Sequence, residues 1–217
     1  MRAPVFTALL MLLLLPGCLT YEQEGRLNED GSGSMEIHYW IKEQVYLWLD
    51  EGSLAFNEDS VRQQYAADGV EVLRAETYTD GADSTRHVKV SLQFDDIQAL
   101  PDCRGFKDAA FLWQSEGDVY RFEQKMSPTM SSSDDLLAGY TFTYTWEFPG
   151  TVRESSADSV HENRATWIIP LSDFDRDVTL TAMIENESGS RIDWVLSVLL
   201  VALVLAFIFR FLRRRRS

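Results

Sequence analysis

The sequence contains few of the residues from which catalytic and metal-binding sites are built. It has two cysteines and three histidines in 217 residues, and His38, His87 and His161 fall in three separate segments. Zinc-protease, P-loop, dinucleotide-binding and Gly-x-Ser-x-Gly patterns do not occur, although the members of a dispersed triad need only meet in space. We therefore expect no catalytic residues, no metal site and no cofactor, and we expect that the protein is not an enzyme.

Basic residues are also scarce in the central part of the chain. All 34 acidic residues lie between positions 19 and 193, whereas six of the 20 basic residues lie outside that range. The 34 acidic residues against the remaining 14 basic ones give this part a net charge of −20. Nucleic acids and anionic lipid surfaces both attract basic patches. The composition therefore argues against a nucleic-acid partner and predicts a solvated acidic surface.

The N-terminus has the layout of a lipoprotein signal peptide. A charged start is followed by an apolar run over residues 5–15, which is too short to be a good membrane span. The run ends in a bacterial lipobox made of Leu15, Pro16, Gly17 and Cys18. We expect residues 1–17 to be removed and Cys18 to carry diacylglycerol, with palmitate among the acyl chains. The alternatives are an ordinary secretory signal, or an uncleaved anchor, with a coincidental cysteine.

The second cysteine, Cys103, has no intramolecular partner if Cys18 is lipidated. We interpret it as a buried, inert thiol. An intermolecular disulfide or a reactive thiol is the alternative.

The C-terminus predicts a transmembrane helix over residues 192–212 and a basic cytoplasmic tail over residues 213–217. In the sixteen residues from Trp194 to Phe209 only Ser197 is polar, and about 20 apolar residues cross a bilayer. Positive charge stays in the cytoplasm, which would place the central part outside. The predicted topology anchors are Trp194, Arg210, Arg213, Arg214, Arg215 and Arg216. The alternatives are a buried core helix, a nucleic-acid-binding tail and a GPI signal.

Residues 18–191 are predicted to form one extracytoplasmic domain, anchored by a lipid at its start and by a helix at its end. Both tethers are short, and an extended chain reaches about 3.3–3.6 Å per residue. We therefore expect the domain to lie close to the membrane with both of its ends on the same face.

The hydrophobic pattern of this domain predicts an α+β fold. It consists of a mostly antiparallel sheet with one or two helices, to which the C-terminal transmembrane helix is added. Asn57 is the predicted cap of a helix over residues 58–67. The predicted strands cover residues 21–27, 35–40, 70–78, 86–94, 109–115, 119–125, 139–148, 165–169 and 178–184.

The strand at 139–148 carries an aromatic residue at every second position. These residues are Tyr140, Phe142, Tyr144, Trp146 and Phe148. Because side chains alternate between the two faces of a strand, all five rings share one face. They are interpreted as packing the core of the sheet. The alternative is that they line an apolar cavity, and they are our candidate ligand-contacting residues.

The order of these motifs resembles the LppM-type family of bacterial lipoproteins. The resemblance rests on the lipobox, the Leu27–Gly33 turn, the Trp146–Gly150 segment and the Asn163–Trp167 segment, followed by the C-terminal span. It covers most of residues 18–217 and implies an α/β ectodomain with an apolar cavity that binds envelope lipids. These motifs are structural, so the resemblance supplies no catalytic residues.

We therefore expect a cell-envelope lipoprotein, held in the cell membrane by a lipid at its N-terminus and by a single span. Its ectodomain would lie outside the cytoplasm, close to the membrane, and bind a lipid or another amphiphile. The alternative is a non-catalytic structural or interaction module that holds an envelope protein partner.

Overall fold

The computed structural model describes residues 19–46, 55–127 and 140–186. The predicted signal peptide at 1–17, the lipidated Cys18, the span at 192–212 and the tail at 213–217 lie outside the described residues. So do their topology anchors.

Eleven strands form two sheets in the described part of the chain. The strands are β1 (Leu19–Leu27), β2 (Gly33–Lys42), β3 (Val70–Asp80), β4 (Thr85–Phe94), β5 (Ala109–Glu116), β6 (Val119–Met126), β7 (Thr141–Glu147), β8 (Val152–Ser155), β9 (Ser159–His161), β10 (Arg164–Pro170) and β11 (Val178–Glu185). The α-helices are α1 (Glu43–Tyr46) and α2 (Glu58–Tyr65). Three 3-10 segments cover Ile97–Asp102, Arg104–Phe106 and Leu171–Asp175.

The larger sheet has the order β3-β4-β2-β1-β7-β10-β9, and the smaller sheet has the order β5-β6-β11-β8. Strands β1 and β7 pair in parallel, with Tyr21 opposite Phe142 and Arg26 opposite Glu147. The other strand pairs in the described ranges are antiparallel.

Local sequence explains the first hairpin and the longer helix. Strand β2 alternates buried and more exposed residues along its whole length, as expected for a sheet with one face in the core. The turn before it uses Gly31 at φ 88°, a backbone conformation that glycine adopts without steric cost. The Asn57 side chain accepts a hydrogen bond of 2.8 Å from the Ser60 backbone N–H, which confirms the predicted helix cap.

One hydrophobic core lies on the inner face of the larger sheet. Its β1-β7-β10 half packs against the smaller sheet, as the 5.1 Å between the ring centroids of Trp146 and Phe122 shows. Its β2-β4 half packs against α2 and the 3-10 segments Ile97–Asp102 and Arg104–Phe106. There Tyr39 donates a hydrogen bond to the Ala55 carbonyl and Cys103 donates one to the Tyr65 carbonyl.

The predicted α+β fold with a transmembrane helix is wrong. The structure is mostly β-sheet, and its α-helices are four and eight residues long. No helix in the described ranges is long and apolar enough to cross a membrane. The physical reason is that alternating apolar residues continue through most of the chain. Tight turns and short 3-10 segments connect the strands, which leaves little length for helices.

The first and last described residues, Leu19 and Asn186, lie at opposite ends of the larger sheet, whereas the ends of the predicted domain, which were expected on one face, lie outside the described residues. Leu19 begins β1 and lies opposite Ile41 of β2. We call this end of the strands the Leu19 end. Glu185 donates its backbone N–H to the Thr151 carbonyl. Thr151 follows the C-terminal end of β7, and that end lies beside Arg26 of β1. Asn186 therefore lies at the opposite, Leu27 end. Strands of eight or nine residues separate the two ends by roughly 27 Å.

Candidate functional site

The structure places the aromatic residues of β7 and its flanks in the core, but to different depths. Trp146, Phe148 and Tyr144 are 0%, 2% and 4% exposed, whereas Tyr140 and Phe142 are half-buried. The first group lies toward the Leu27 end and the second toward the Leu19 end. The sequence predicted the shared face from the alternation, and the structure adds a gradient of burial along it.

The core is filled at the Leu27 end. The Trp146 ring lies 5.1 Å from Phe122, and the Phe148 ring stacks on Trp113 with 6.2 Å between centroids. Gly25 of β1 faces Trp146 so closely that a Cβ atom there would lie 2.4 Å from Cε3 and Cζ3 of the indole. Ring atoms therefore occupy the space that a larger residue at position 25 would need.

The core opens at the Leu19 end into half-buried aromatic rings. The Tyr21 ring lies 5.2 Å from Phe142 and 5.7 Å from Tyr144, and Phe142 lies 5.2 Å from Phe174. We call these four residues the aromatic end cluster. Tyr144 and Phe174 are buried, while Tyr21 and Phe142 keep part of their surface accessible. Burial raises the pKa of the Tyr21 and Tyr144 hydroxyls well above the usual value, so both remain neutral phenols.

Two buried glutamines separate the aromatic end cluster from the filled core. Gln23 and Gln124 are each 1% exposed, and the Gln23 amide donates to Gln124 Oε1 over 3.3 Å. Trp146 Nε1 donates to the same oxygen over 2.9 Å, and the Tyr21 hydroxyl donates to Gln23 Oε1 over 3.2 Å. No buried side-chain nitrogen or oxygen in the described residues lacks a partner. The network therefore links the two sheets without leaving an unpaired polar atom.

A second cluster, which the sequence reasoning missed, lies on the outer face of the larger sheet. Register brings His38 of β2 beside His87 of β4, with 3.1 Å between His38 Nε2 and His87 Nδ1. His87 Nε2 lies 2.7 Å from Thr85 Oγ1. The His87 ring stacks between Tyr78 at 4.7 Å and Trp40 at 5.5 Å. We call these five residues the histidine cluster.

Both imidazoles in the histidine cluster favour the neutral form. Burial, with smaller contributions from Lys89 and His87, lowers the pKa of His38 from 6.5 to about 4. Burial also lowers the pKa of His87, against the opposing effect of Asp83 and Asp80. The sequence does indicate that both histidines point outward, because each lies at a polar position of a strand in which apolar and polar residues alternate. Their contact depends on a strand pairing that the local sequence does not specify.

Cys103 is buried at 0% exposure, as expected for an inert thiol. Its thiol donates to the Tyr65 carbonyl over 3.1 Å, and burial raises its pKa to about 11. Little thiolate is present at neutral pH, and the thiolate is the reactive form.

No protein-family model matches the chain. An uncharacterized protein of Archaeoglobus fulgidus is 26% identical over 160 residues, which cover 72% of this chain and 73% of the relative. Among solved structures, the NMR structure of the folded domain of Mycobacterium tuberculosis LppM is similar at a TM-score of 0.47 and 15% identity. That match covers 79% of this chain and 92% of the domain. Yeast LTA4 hydrolase in complex with bestatin is similar at a TM-score of 0.31 and 13% identity, over 78% of this chain and 28% of the hydrolase. Similarity at these levels transfers no function.

Proposed function

We propose that the chain is a lipid-anchored envelope protein whose ectodomain binds an amphiphile at the aromatic end cluster. One observation carries the proposal. The half-buried rings of Tyr21 and Phe142 lie at the same end of the sheet as Leu19, and Leu19 directly follows Cys18. A lipid on Cys18 would hold that end of the domain against the bilayer surface. The accessible parts of these two rings would then face the source of the ligand.

Apolar contact is the driving force that suits such a site. Burying the accessible faces of Tyr21 and Phe142 under an acyl chain contributes about 25 cal/mol per Å² of apolar area removed from water. The net charge of −20 between positions 19 and 193 disfavours attraction to anionic lipid. A ligand would therefore be held by its apolar part.

The polar groups of the site favour an uncharged head group. The neutral hydroxyl of Tyr21 and the amides of Gln23 and Gln124 lie behind the aromatic rings. These groups are paired with one another and carry no charge, so they offer nothing to a phosphate, which is recognised best by arginine or lysine. We expect an acylated ligand without a phosphate at this site. The resemblance of the sequence to LppM-type lipoproteins supports a ligand of the same general class, and we propose membership of that family on this basis.

A photo-crosslinking experiment tests the site. The full chain in membranes would be exposed to a neutral diacylglycerol that carries a diazirine in its acyl chain, and labelled peptides would be mapped by mass spectrometry. We expect labels on the peptides that contain Tyr21, Phe142 or Phe174. Phe142→Gln should reduce the labelling at least fivefold, because it places an amide among the accessible rings.

Ile168→Gln is the matched control for that substitution. Ile168 lies on the neighbouring strand β10, opposite Thr143, and is 50% exposed on the outer face. The control should label like the wild-type chain. Equal labelling of both variants, or labels concentrated near Trp113 and Phe148, would contradict the proposed site. That result would instead favour the interaction module that holds a protein partner.

The anchor is tested separately by Cys18→Ser. Cells fed an alkyne analogue of palmitate should incorporate it into the wild-type chain and not into the variant. Incorporation that persists in Cys18→Ser would refute lipidation at this residue and leave the crosslinking result to be judged by itself.

A further inference from the structure

The β3-β4 hairpin gathers two carboxylates and an imidazole on the outer face of the larger sheet. One ligand atom from each of Asp80, Asp83 and His87 lies within 4.8 Å of the corresponding atoms of the other two. Asp80 lies opposite Thr85 across the hairpin, and Asp83 lies in the turn between them. The carboxylates are exposed, whereas His87 is only 9% exposed.

We propose that Asp80, Asp83 and His87 bind a divalent metal ion of the zinc class. Imidazole nitrogen together with carboxylate oxygen is a ligand set that Zn²⁺ accepts at about 2.0–2.2 Å, with a fourth position filled by water. Ligands of a tetrahedral ion at that distance lie about 3.3 Å apart. Closing the site from the present spacing requires roughly 1.5 Å of movement. Rotation of two exposed aspartate side chains supplies it.

The imidazole is held in place before an ion arrives. Tyr78 lies parallel to the His87 ring, with an interplanar angle of 2° and 4.7 Å between centroids, and Trp40 covers the other side at 22° and 5.5 Å. The ring plane is therefore fixed between two aromatic neighbours. A ligand that is already oriented loses little conformational entropy when the ion binds.

An independent feature outside the hairpin prepares His87 as a ligand. Metal-binding histidines usually donate the second ring N–H to an acceptor, which fixes the tautomer. With Nε2 on the ion, His87 Nδ1 would donate to His38 Nε2, 3.1 Å away. His38 Nδ1 would then donate to Glu22 Oε2, 3.5 Å away. This carboxylate–histidine–histidine relay leads away from the proposed ion through β2 to β1, and each hydrogen has one acceptor.

The present partner of His87 Nε2 can be released without leaving an unpaired group. Thr85 Oγ1 lies 2.7 Å from that nitrogen, and it also bonds Asp83 Oδ1. The backbone N–H of Thr85 donates to the same carboxylate oxygen over 3.1 Å. When an ion takes Nε2, the threonine hydroxyl must move off that nitrogen. Its bond to Asp83 Oδ1 keeps it paired and leaves Asp83 Oδ2 for the ion. The metal site is independent of the proposed amphiphile site, which lies on the other face of the sheet.

Metal titration of the full chain tests the proposal. After treatment with a chelator, Zn²⁺ binding would be measured by calorimetry, and Co²⁺ would be used as a spectroscopic substitute. We expect one ion per chain and a visible Co²⁺ absorption band. The double variant Asp80→Asn/Asp83→Asn keeps the acceptor oxygens of the turn and should weaken binding at least 100-fold. Glu22→Gln, which acts through the relay, should weaken binding about 10-fold.

His161→Gln is the matched control, because His161 is exposed at the edge strand β9 and far from the hairpin. It should leave the affinity unchanged. His87→Gln should abolish the Co²⁺ band, and circular dichroism would establish that each variant is folded. Absence of binding at 1 mM Zn²⁺ in the wild-type chain would overturn the proposal. Undiminished affinity in the folded Asp80→Asn/Asp83→Asn variant would also overturn it.

Discussion

Replacing Gly25 by alanine tests whether the core is filled at the Leu27 end. The added Cβ would lie 2.4 Å from two atoms of the Trp146 ring and 2.7 Å from a third. Contacts below 3.0 Å force one partner to move. Trp146 is 0% exposed and is hydrogen-bonded through Nε1 to Gln124, so the ring has little space in which to shift.

The expected cost is about 2 kcal/mol in the free energy of unfolding. Overpacking of a filled core costs about 1–3 kcal/mol. A shift of the indole that weakens its bond to Gln124 adds about 1 kcal/mol. Replacing glycine by alanine recovers about 0.4–1 kcal/mol by restricting the unfolded chain. For a domain of this size, the net change lowers the melting temperature by about 4–8 °C.

Urea unfolding of the purified chain, followed by near-ultraviolet circular dichroism, measures this cost. Gly81→Ala is the matched control, because nothing lies within 4 Å of a Cβ atom at Gly81. We expect it to be neutral or slightly stabilising. In a Trp146→Leu background, Gly25→Ala should lose most of its effect. If Gly25→Ala unfolds within about 0.5 kcal/mol of the wild-type chain, the inference of a filled core is refuted.

Three further predictions concern buried groups. Gln124→Met should lower the free energy of unfolding by about 2–4 kcal/mol, because the Gln23 amide and Trp146 Nε1 lose their shared acceptor. In urea titrations Gln23→Met should partly rescue it, and strictly additive costs would speak against the network. The pKa of the buried Cys103 thiol is raised to about 11. The thiol should therefore react with Ellman's reagent only as fast as the chain unfolds. Stoichiometric reaction within seconds in native buffer would disprove its burial. With a chelator present, acidification from pH 7 to 4.5 should lower the free energy of unfolding by about 1–2 kcal/mol. The unfolded chain protonates His38 below pH 6.5. In the folded chain, where Glu22, His87 and Lys89 surround the ring, His38 is protonated only near pH 4. His38→Gln should flatten that dependence in urea titrations at the two pH values, and an unchanged slope would count against it.

The sequence predicted local structure because local structure depends on neighbouring residues. Alternation located strands such as β2 and β7, and Asn57 predicted the start of α2. Strands β8 and β9, of four and three residues, are too short for alternation to mark. The predicted amount of helix depended on apolar segments that fit either a helix or a strand. The α+β prediction failed there.

Contacts between distant strands were beyond the sequence, and both candidate sites depend on them. The parallel pairing of β1 with β7 joins Tyr21 to Phe142, across more than a hundred residues of chain. The pairing of β2 with β4 joins His38 to His87, 49 positions apart. A strand's hydrophobic pattern specifies which of its faces is buried, but many partners fit the same pattern. The histidines therefore looked unrelated in the sequence. The proposed metal ligands Asp80, Asp83 and His87, in contrast, lie within one hairpin, and only their relay through His38 depends on that strand pairing.

The two proposed sites share one end of the larger sheet, and the register of four strands accounts for it. Leu19 pairs with Ile41, and the next residue of β2, Lys42, pairs with Thr85, which lies opposite Asp80. Three features thus lie at the Leu19 end of the strands. They are the start of β1, the aromatic end cluster on the inner face and the proposed metal ligands on the outer face. The Leu27 end holds tight turns and the fully buried indole of Trp146. Both proposed binding sites therefore lie near Leu19, which follows the predicted lipid anchor. The densely packed part of the core lies at the Leu27 end. This separation makes the two proposals testable apart from stability, because Phe142→Gln and Asp80→Asn/Asp83→Asn alter residues outside the filled core.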